Sequence, residues 1–189
     1  MLVTMTTLTT PRLRLREFHN EDLEDVFAYE SDPVVVQYVA YGPYTEEECR
    51  QDLAWHVAHQ QAIPRHFFHF AIELQSEKRV IGWCGVQFAR ADHHEAELGY
   101  ALHRRYWGQG YTTEAARAVT EYSFAKLGVH RVFGECRPEN IGSIRVLQKL
   151  GMTQEGYLRE NRRFKGRWWD TLIFGLLAAE WRSEQSVAA

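Results

Sequence analysis

The chain has 189 residues, which is the usual size of a single domain. Apolar residues make up 45% of it and aromatic residues 13%, a composition that can form a packed core and favours a fold containing a sheet. The formal net charge of −3 excludes a nucleic-acid-binding protein of the usual basic kind.

The first predicted elements are a strand and a helix. Leu13 and Leu15 alternate with arginines, which is typical of a half-buried strand. Asn20 is a candidate cap for a helix with apolar residues on one side, and residues 31–33 are expected to end that helix.

A second helix and a hairpin follow. Thr45 and Glu48 have the spacing of a capping box, which predicts the start of a helix that ends before Pro64. Residues 67–74 and 80–90 are predicted to form two strands joined by a polar turn.

The middle of the chain predicts a strand over 95–102, a helix over 112–127 that stops at Gly128, and a strand over 129–136. A strand–helix–strand unit of this kind makes the two strands parallel neighbours. Residues 143–150 are expected to form a short helix. The tail predicts two strands within 153–179, joined around Lys165-Gly166-Arg167. The elements together indicate one α+β domain with a central mixed sheet.

The cysteine spacing, the apolar runs and the start of the sequence bear on the cellular location of the protein. The three cysteines lack CxxC spacing, which argues against a disulfide framework and against a zinc site. The longest apolar runs are too short to cross a bilayer, and the threonine-rich start does not resemble a secretory signal. We expect a cytoplasmic protein that binds no metal, no nucleic acid and no membrane.

The stretch Arg105–Tyr111, followed by Thr112, is the most informative motif. Gly108 and Gly110 lie between a predicted strand and a predicted helix, where backbone N–H groups and the helix dipole can hold a phosphate. The alternative is a tight strand-to-helix turn without a ligand. The Walker pattern is absent because no Lys-Ser/Thr pair follows, and the dinucleotide pattern fails because Thr113 stands where its third glycine is needed.

The pattern Arg105-x-x-Gly108-x-Gly110 resembles the acyl-CoA-binding motif of the GCN5-related N-acetyltransferases (GNAT). Residues 140–152 are similar to that family's Asn-x-x-Ser…Lys-Leu-Gly-Phe segment. Residues 10–16 and 163–171 are similar to the first strand and last hairpin of its RimJ/RimL-type branch, which acetylates ribosomal-protein N-termini. The resemblance covers about residues 10–180.

The resemblance implies a GNAT fold, in which helices on both faces flank a central, mixed, splayed sheet of six to seven strands. It implies a single N-acetyltransferase domain over 10–180, with flexible ends at 1–9 and 181–189. Homodimers are common among such relatives.

The resemblance also implies that acetyl-CoA is the co-substrate. Its pyrophosphate would lie on the turn amides and its pantetheine arm along the end of the preceding strand. The strands 95–102 and 129–136 splay apart in relatives and leave a slot for the thioester. The implied cofactor-binding residues are Tyr100, Ala101, Leu102, His103, Arg105, Trp107, Gly108, Gln109, Gly110, Tyr111, Thr112, Asn140 and Ser143. For Asn140 the alternative is a simple turn residue.

Direct acetyl transfer to an amine needs a base for the amine and an acid for the leaving thiolate. Glu97 and Glu135 are the candidate bases, and Glu135 matches the base position of RimI-type enzymes. Ser143 matches the serine proposed as the acid in RimL-like enzymes. The alternatives are solvated strand glutamates for Glu97 and Glu135 and a helix cap for Ser143.

The chain departs from the family pattern at two positions. Leu147 stands where RimI-type enzymes have a catalytic tyrosine, and Arg162 aligns with a glutamate of some RimL-like members. These differences keep open a non-catalytic acyl-CoA-binding regulatory module. An active enzyme would acetylate a ribosomal-protein N-terminus or a small amine, and the loops 34–45 and 164–169 are expected to shape the acceptor site.

The histidines and a tryptophan pair have less specific interpretations. His69 lies on a predicted strand and is either packed or turned toward the substrate. The histidines lack HExxH spacing, so no metal site is expected. Trp168 and Trp169 are adjacent on a strand and must point to opposite faces, so one of them is expected in the core.

Overall fold

The computed structural model describes residues 6–90, 92 and 94–181. These residues fall into two compact units. The first comprises the described residues up to Gln87 together with Gly99–Val119. The second comprises Phe88–Leu98 together with the described residues from Thr120 onward.

The described residues form four α-helices and eight strands. The helices are α1 (Leu23–Glu30), α2 (Glu46–His59), α3 (Tyr111–Tyr122) and α4 (Ile141–Lys149). The strands are β1 (Leu8–Thr9), β2 (Leu13–Arg16), β3 (Phe67–Leu74), β4 (Arg79–Phe88), β5 (Glu95–Leu102), β6 (Arg131–Cys136), β7 (Thr153–Phe164) and β8 (Arg167–Leu177). Short 3-10 turns occupy Asn20–Asp22 and Arg104–Tyr106.

The sheet of the first unit is antiparallel from β1 to β4, in chain order. Leu13 pairs with Leu74 and Leu15 with Ile72, and the side chains of both β2 leucines are fully buried. The half-buried strand predicted from the alternation of leucine and arginine is therefore confirmed.

Helices α1 and α2 cover the sheet of the first unit. The capping box of α2 forms as predicted: the Thr45 N–H donates to Glu48 Oε2 at 2.8 Å, and the Glu48 N–H donates to Thr45 Oγ1 at 3.3 Å. Asn20 does not cap α1, because it lies inside the preceding 3-10 turn, where the Asp22 carboxylate accepts the N–H of His19. The buried cluster under these helices consists of Phe18, Val26, Tyr29, Cys49, Leu53, Ala71 and Val80.

The second unit contains the predicted parallel pair. The first half of β5 pairs parallel with β6, β6 pairs antiparallel with β8, and β8 pairs antiparallel with β7. Helix α4 packs closely on β6, since a Cβ added to Gly134 would lie only 2.8 Å from a methyl carbon of Leu147. Lys165 and Gly166, with φ of 50° and 78°, form the two-residue turn between β7 and β8, as the sequence predicts.

Two expectations need correction. The described residues contain eight strands rather than six to seven; the two-residue strand β1 is too short to produce a periodic pattern. Helix α3 ends at Tyr122 rather than at residue 127, and residues Ser123–Leu127 form a π-helical turn. Gly128 ends that turn in the left-handed region at φ 70°, as predicted.

Candidate active site

The predicted phosphate turn is a short bend between β5 and α3 in the first unit. Gly108 has φ of 75° and Gly110 has φ of 82°. Residues that have a Cβ rarely adopt these backbone conformations. Helix α3 begins at Tyr111, and its first helical hydrogen bond runs from the Glu114 N–H to the Gly110 carbonyl at 3.0 Å. The glycines therefore leave the N–H groups of the first helical turn accessible to an anion.

Side chains of the turn hold its shape. The Trp107 indole Nε1 donates to the Leu102 carbonyl at 2.6 Å, and Gln109 Nε2 donates to the Arg105 carbonyl at 3.1 Å. His103 Nδ1 accepts the Arg105 N–H at 3.1 Å. Several predicted cofactor residues thus have structural roles within the turn itself.

A brace from the N-terminal segment, which the sequence analysis did not predict, supports the turn from outside. Glu114 Oε1 accepts from Thr10 Oγ1 at 2.6 Å and from the Arg12 N–H at 3.0 Å, and Glu114 Oε2 accepts from Arg12 Nε at 2.7 Å. Arg12 Nη1 also donates to the Gln109 carbonyl at 3.0 Å, and the guanidinium lies 4.3 Å above the Tyr111 ring. We call these contacts the Glu114 brace. They fix the turn to the start of α3.

The end of β5 carries the residues predicted to meet the pantetheine arm, Tyr100 to His103. The N–H of His103 donates to the Ile81 carbonyl of β4 at 2.8 Å. A Cβ on Gly82 would lie 2.3 Å from the Ala101 carbonyl, so β4 and β5 approach closely here. These residues lie in the same unit as the turn.

Asn140 and Ser143 lie at the start of α4 in the second unit. Asn140 is the helix cap, and its Oδ1 accepts the Ser143 N–H at 3.1 Å. Ser143 is the third residue of the helix, so the alternative that it is the cap is wrong. Its hydroxyl hydrogen-bonds the Cys136 thiol, while burial raises the pKa of that thiol to about 11.

The two candidate glutamates share one face of the sheet. Glu97 is the register partner of Phe133, and Glu135 follows Phe133 by two residues on β6. Since side chains alternate along a strand, the buried Cys136 and its partner Ser143 lie on the opposite face from both glutamates.

Glu135 is held by arginines. Arg162 Nη2 lies 3.3 Å from Glu135 Oε2, and Arg137 Nη2 lies 3.8 Å from the same oxygen. Arg162 is therefore an ion-pair partner of Glu135. Arg137 is buried, and its Nη1 donates to the Asp170 carbonyl at 3.0 Å and to the Thr171 hydroxyl.

One tryptophan of the adjacent pair is buried, as predicted: Trp169 is 6% exposed, whereas Trp168 is 54% exposed. The Trp169 indole Nε1 donates to the Phe164 carbonyl at 3.1 Å, and its ring stacks on Phe164. Trp169 therefore stabilises the last hairpin from the inside.

The first unit also contains a cavity of about 230 Å³ with aromatic and acidic walls, which we call the aromatic cavity. Glu30, at the end of α1, lines it and is only 4% exposed. Burial and the nearby Asp52 raise the pKa of Glu30 to about 8, although the Trp83 indole donates to its carboxylate. His69 also lines the cavity, and burial together with His56 and Arg65 lowers its pKa to about 3.

Replacing Glu30 with glutamine is expected to remove a pH dependence of stability. In the unfolded chain Glu30 ionises near its ordinary pKa of 4.5, but in the folded chain it keeps its proton up to about pH 8. The folded state therefore binds more protons in this interval, and the free energy of unfolding falls as pH rises, by up to about 1.4 kcal/mol per pH unit. Denaturant unfolding between pH 6.5 and 8 should show wild type losing stability relative to Glu30→Gln.

His69 is present in wild type and in Glu30→Gln, so its contribution cancels in the difference between the two proteins. Neutral His69 stabilises the fold fully above its unfolded pKa of 6.5, and that stability is lost only as pH falls toward 3. Glu47→Gln, at an exposed position of α2, is the matched control and should follow wild type. A constant difference between Glu30→Gln and wild type across the interval would contradict the prediction.

Two further properties concern metals and membranes. Within residues 6–90, 92 and 94–181, no group of three or more His, Cys, Asp and Glu side chains could hold a metal ion. In the same residues no helix has the length and apolar character needed to span a bilayer.

The sequence is similar to a known protein family and to proteins named N-acetyltransferases. Residues 12–153 match the family described as the acetyltransferase (GNAT) domain. The uncharacterized N-acetyltransferase YnaD of Bacillus subtilis is 33% identical over 174 residues, which cover 92% of this chain and 98% of that protein. The [ribosomal protein uS5]-alanine N-acetyltransferase of Escherichia coli is 26% identical over 185 residues, covering 92% of each chain.

A solved structure supports the same assignment. The acetyltransferase (GNAT family) from Bacillus anthracis superposes with a TM-score of 0.83 and 30% sequence identity, and the match covers 93% of this chain and 100% of that one.

Proposed function

This chain belongs to the GNAT acetyltransferase family, and we propose that it moves the acetyl group of acetyl-CoA directly to a primary amine, either a protein N-terminus or a small-molecule amine. The turn at Gly108 and Gly110 carries the proposal for the donor. Its two positive-φ glycines open the first turn of α3, a geometry suited to a pyrophosphate.

We assign the remaining cofactor contacts by the family resemblance. The end of β5, from Tyr100 to His103, would pair with the pantetheine arm. Asn140 would contact the arm and Ser143 would protonate the leaving thiolate. The arrangement at the start of α4 is compatible with these roles, because the Asn140 cap fixes the helix turn that carries Ser143.

The proposed reaction is a nucleophilic attack by the neutral amine on the thioester carbon. A C–N bond forms, the C–S bond breaks, the amine proton goes to a base and the thiolate takes up a proton. Glu97 and Glu135 remain the candidate bases. Glu135 Oε2 lies 3.3 Å from Arg162 Nη2, and this contact does not decide between the two glutamates.

Two classes of amine acceptor are proposed. The relative from Escherichia coli acts on a ribosomal protein, which favours a protein N-terminus. Small amines are the other candidate class. The second functional candidate, a non-catalytic acyl-CoA-binding module, is supported by Leu147, which occupies the position of a catalytic tyrosine in RimI-type enzymes and is 1% exposed.

We also propose that the protein is cytoplasmic and that it forms a homodimer. Three free cysteines, all buried, support a reducing compartment.

CoA release from acetyl-CoA, measured against ribosomal-protein N-terminal peptides, polyamines and aminoglycosides, tests the function. We expect turnover with at least one acceptor class. For the productive acceptor, glutamine at the position of the base, Glu97 or Glu135, is expected to lower kcat about 100-fold, the usual contribution of a positioned general base. The glutamine variant of the other glutamate should keep kcat close to that of wild type.

The outcomes separate the alternatives. Binding of acetyl-CoA without turnover on any acceptor would favour the non-catalytic module. If neither glutamine variant lowers kcat, both glutamates are structural. Glu139→Gln is the control, since it removes an exposed carboxylate paired with Arg167 in the same unit.

A further inference from the structure

The aromatic cavity has an acidic character. Its wall contains Glu30 and Asp52, and none of its described lining residues is a lysine or an arginine. Arg65, the cation that acts on His69, is itself paired with Glu17 at 2.8 Å. In the wall, Asp52 Oδ2 lies 3.5 Å from His56 Nε2, and none of the described lining residues carries a permanent positive charge that could pair with Glu30.

Polar atoms of the wall lack protein partners. Glu30 Oε2 and the Tyr29 hydroxyl are buried and have no hydrogen-bond partner, although the two residues are 4% and 0% exposed. A buried polar group without a partner costs about 1–3 kcal/mol, so native structures rarely retain one without a reason. Both residues line the cavity, where a hydrogen-bond donor from water or from a ligand would satisfy them.

Aromatic rings form most of the remaining wall. Trp55 lies edge-on to Phe67 with centroids 5.0 Å apart, and Trp83 is 5.0 Å from His69. The aromatic lining residues are Phe18, Tyr29, Tyr41, Tyr44, Trp55, His56, Phe67, His69 and Trp83. Faces of such rings attract cations, and their carbon atoms favour an apolar skeleton. The volume of about 230 Å³ greatly exceeds the roughly 10–15 Å³ that one water needs, so a small organic molecule fits.

We infer that the aromatic cavity binds the acceptor as a small organic ammonium ion, with its charged nitrogen against Glu30 and Asp52 and its carbon skeleton among the rings. This inference rests on the proposed acetyl transfer for calling the ligand an acceptor, but not for the binding itself. It names the small-amine class rather than a protein N-terminus.

A pH dependence follows from the state of Glu30. The carboxyl is protonated near neutral pH, so a cation must displace that proton in order to form the ion pair. The titratable groups that face Glu30 across the cavity and its walls are Tyr29, Tyr41, Tyr44, Cys49, Asp52, His56 and His69. The affinity for an amine should therefore rise with pH between 6 and 8, by up to about tenfold per unit.

Isothermal titration calorimetry on the full chain, with CoA present, tests the inference. The probes are 2-phenylethylamine and 1,4-diaminobutane, with 2-phenylethanol as the uncharged counterpart. We expect at least one amine to bind, at least about tenfold more tightly than the alcohol. Glu30→Gln should weaken that binding at least about tenfold and abolish its rise with pH. Asp52→Asn should weaken it less, because Asp52 is more exposed than Glu30.

Glu47→Gln is the matched control on α2 and should bind the amine as wild type does. The inference is overturned if neither amine binds more tightly than the alcohol, or if Glu30→Gln binds equally well. If an amine binds in a Glu30-dependent way but no CoA is released, the inference that the cavity binds amines stands and the proposed acetyl transfer fails. If the protein acetylates other amines and Glu30→Gln does not change that activity, the proposed acetyl transfer stands and the inference about the cavity fails.

Discussion

Replacing Gly108 or Gly110 with valine is expected to abolish measurable acetyl-CoA binding while leaving a folded protein. Both glycines have positive φ, which costs a residue with a Cβ about 1–2 kcal/mol. The added Cβ of Gly108 would meet no protein atom within 4 Å, so it would project into the space beside the turn. Losing two amide contacts to a pyrophosphate, at about 1.5–3 kcal/mol each, weakens binding at least about 100-fold.

Gly128→Val separates strain from ligand contact. Gly128 has φ of 70° and an equally open Cβ position, but it ends the π-helical turn that follows α3. This variant should lose similar stability and keep wild-type affinity for acetyl-CoA in a calorimetric titration. Normal affinity of a folded Gly108→Val variant would remove the turn from the cofactor site.

Breaking the buried ion pair between Glu17 and Arg65 is expected to have the largest effect on stability. Glu17 is 2% exposed, and its two carboxylate oxygens accept from the Arg65 guanidinium at 2.8 and 3.1 Å. Arg65 Nε also donates to the Phe67 carbonyl at 2.7 Å, at the start of β3. Glu17→Gln leaves the Arg65 guanidinium, whose side chain is only 11% exposed, without a counter-charge, and loss of one partner from such a pair costs about 3–5 kcal/mol. Urea unfolding at pH 7 measures the loss.

An exposed ion pair provides the control. Glu46 contacts Arg50 at 2.7 Å, with side chains 61% and 55% exposed, so Glu46→Gln should change stability by less than about 1 kcal/mol. The double variant Glu17→Gln with Arg65→Met should recover part of the loss, because it removes the uncompensated charge. Equal, small losses for Glu17→Gln and Glu46→Gln would contradict the prediction.

Local signals in the sequence predicted local structure well. The predicted bounds of β5 and the predicted capping box at Thr45 both agree with the structure. Each of these features depends only on residues that are close together in the sequence. The parallel pairing of β5 with β6 follows from the handedness and length of the intervening segment. Sequence spacing also located the turn at Gly108, since few residues other than glycine tolerate its backbone.

Features that depend on distant contacts were not predicted. Asn140 and Ser143 are both good helix caps, so only the structure decides that Asn140 caps α4. Glu30 looks like any polar residue at the end of a helix, and its burial becomes visible only when α2, β3 and β4 surround it. The ion pair of Glu135 with Arg162 joins residues 27 positions apart across a sheet whose register the sequence does not specify.

The Glu114 brace has a consequence for how the chain is synthesised and folds. Its hydrogen bonds join positions 102 and 104 residues apart, so they have high contact order. The N-terminal segment leaves the ribosome first but finds its carboxylate partner only after residue 114 has emerged. The turn at Gly108 and Gly110 therefore reaches its final geometry late in translation, after β2, β3 and β4 have had time to pair.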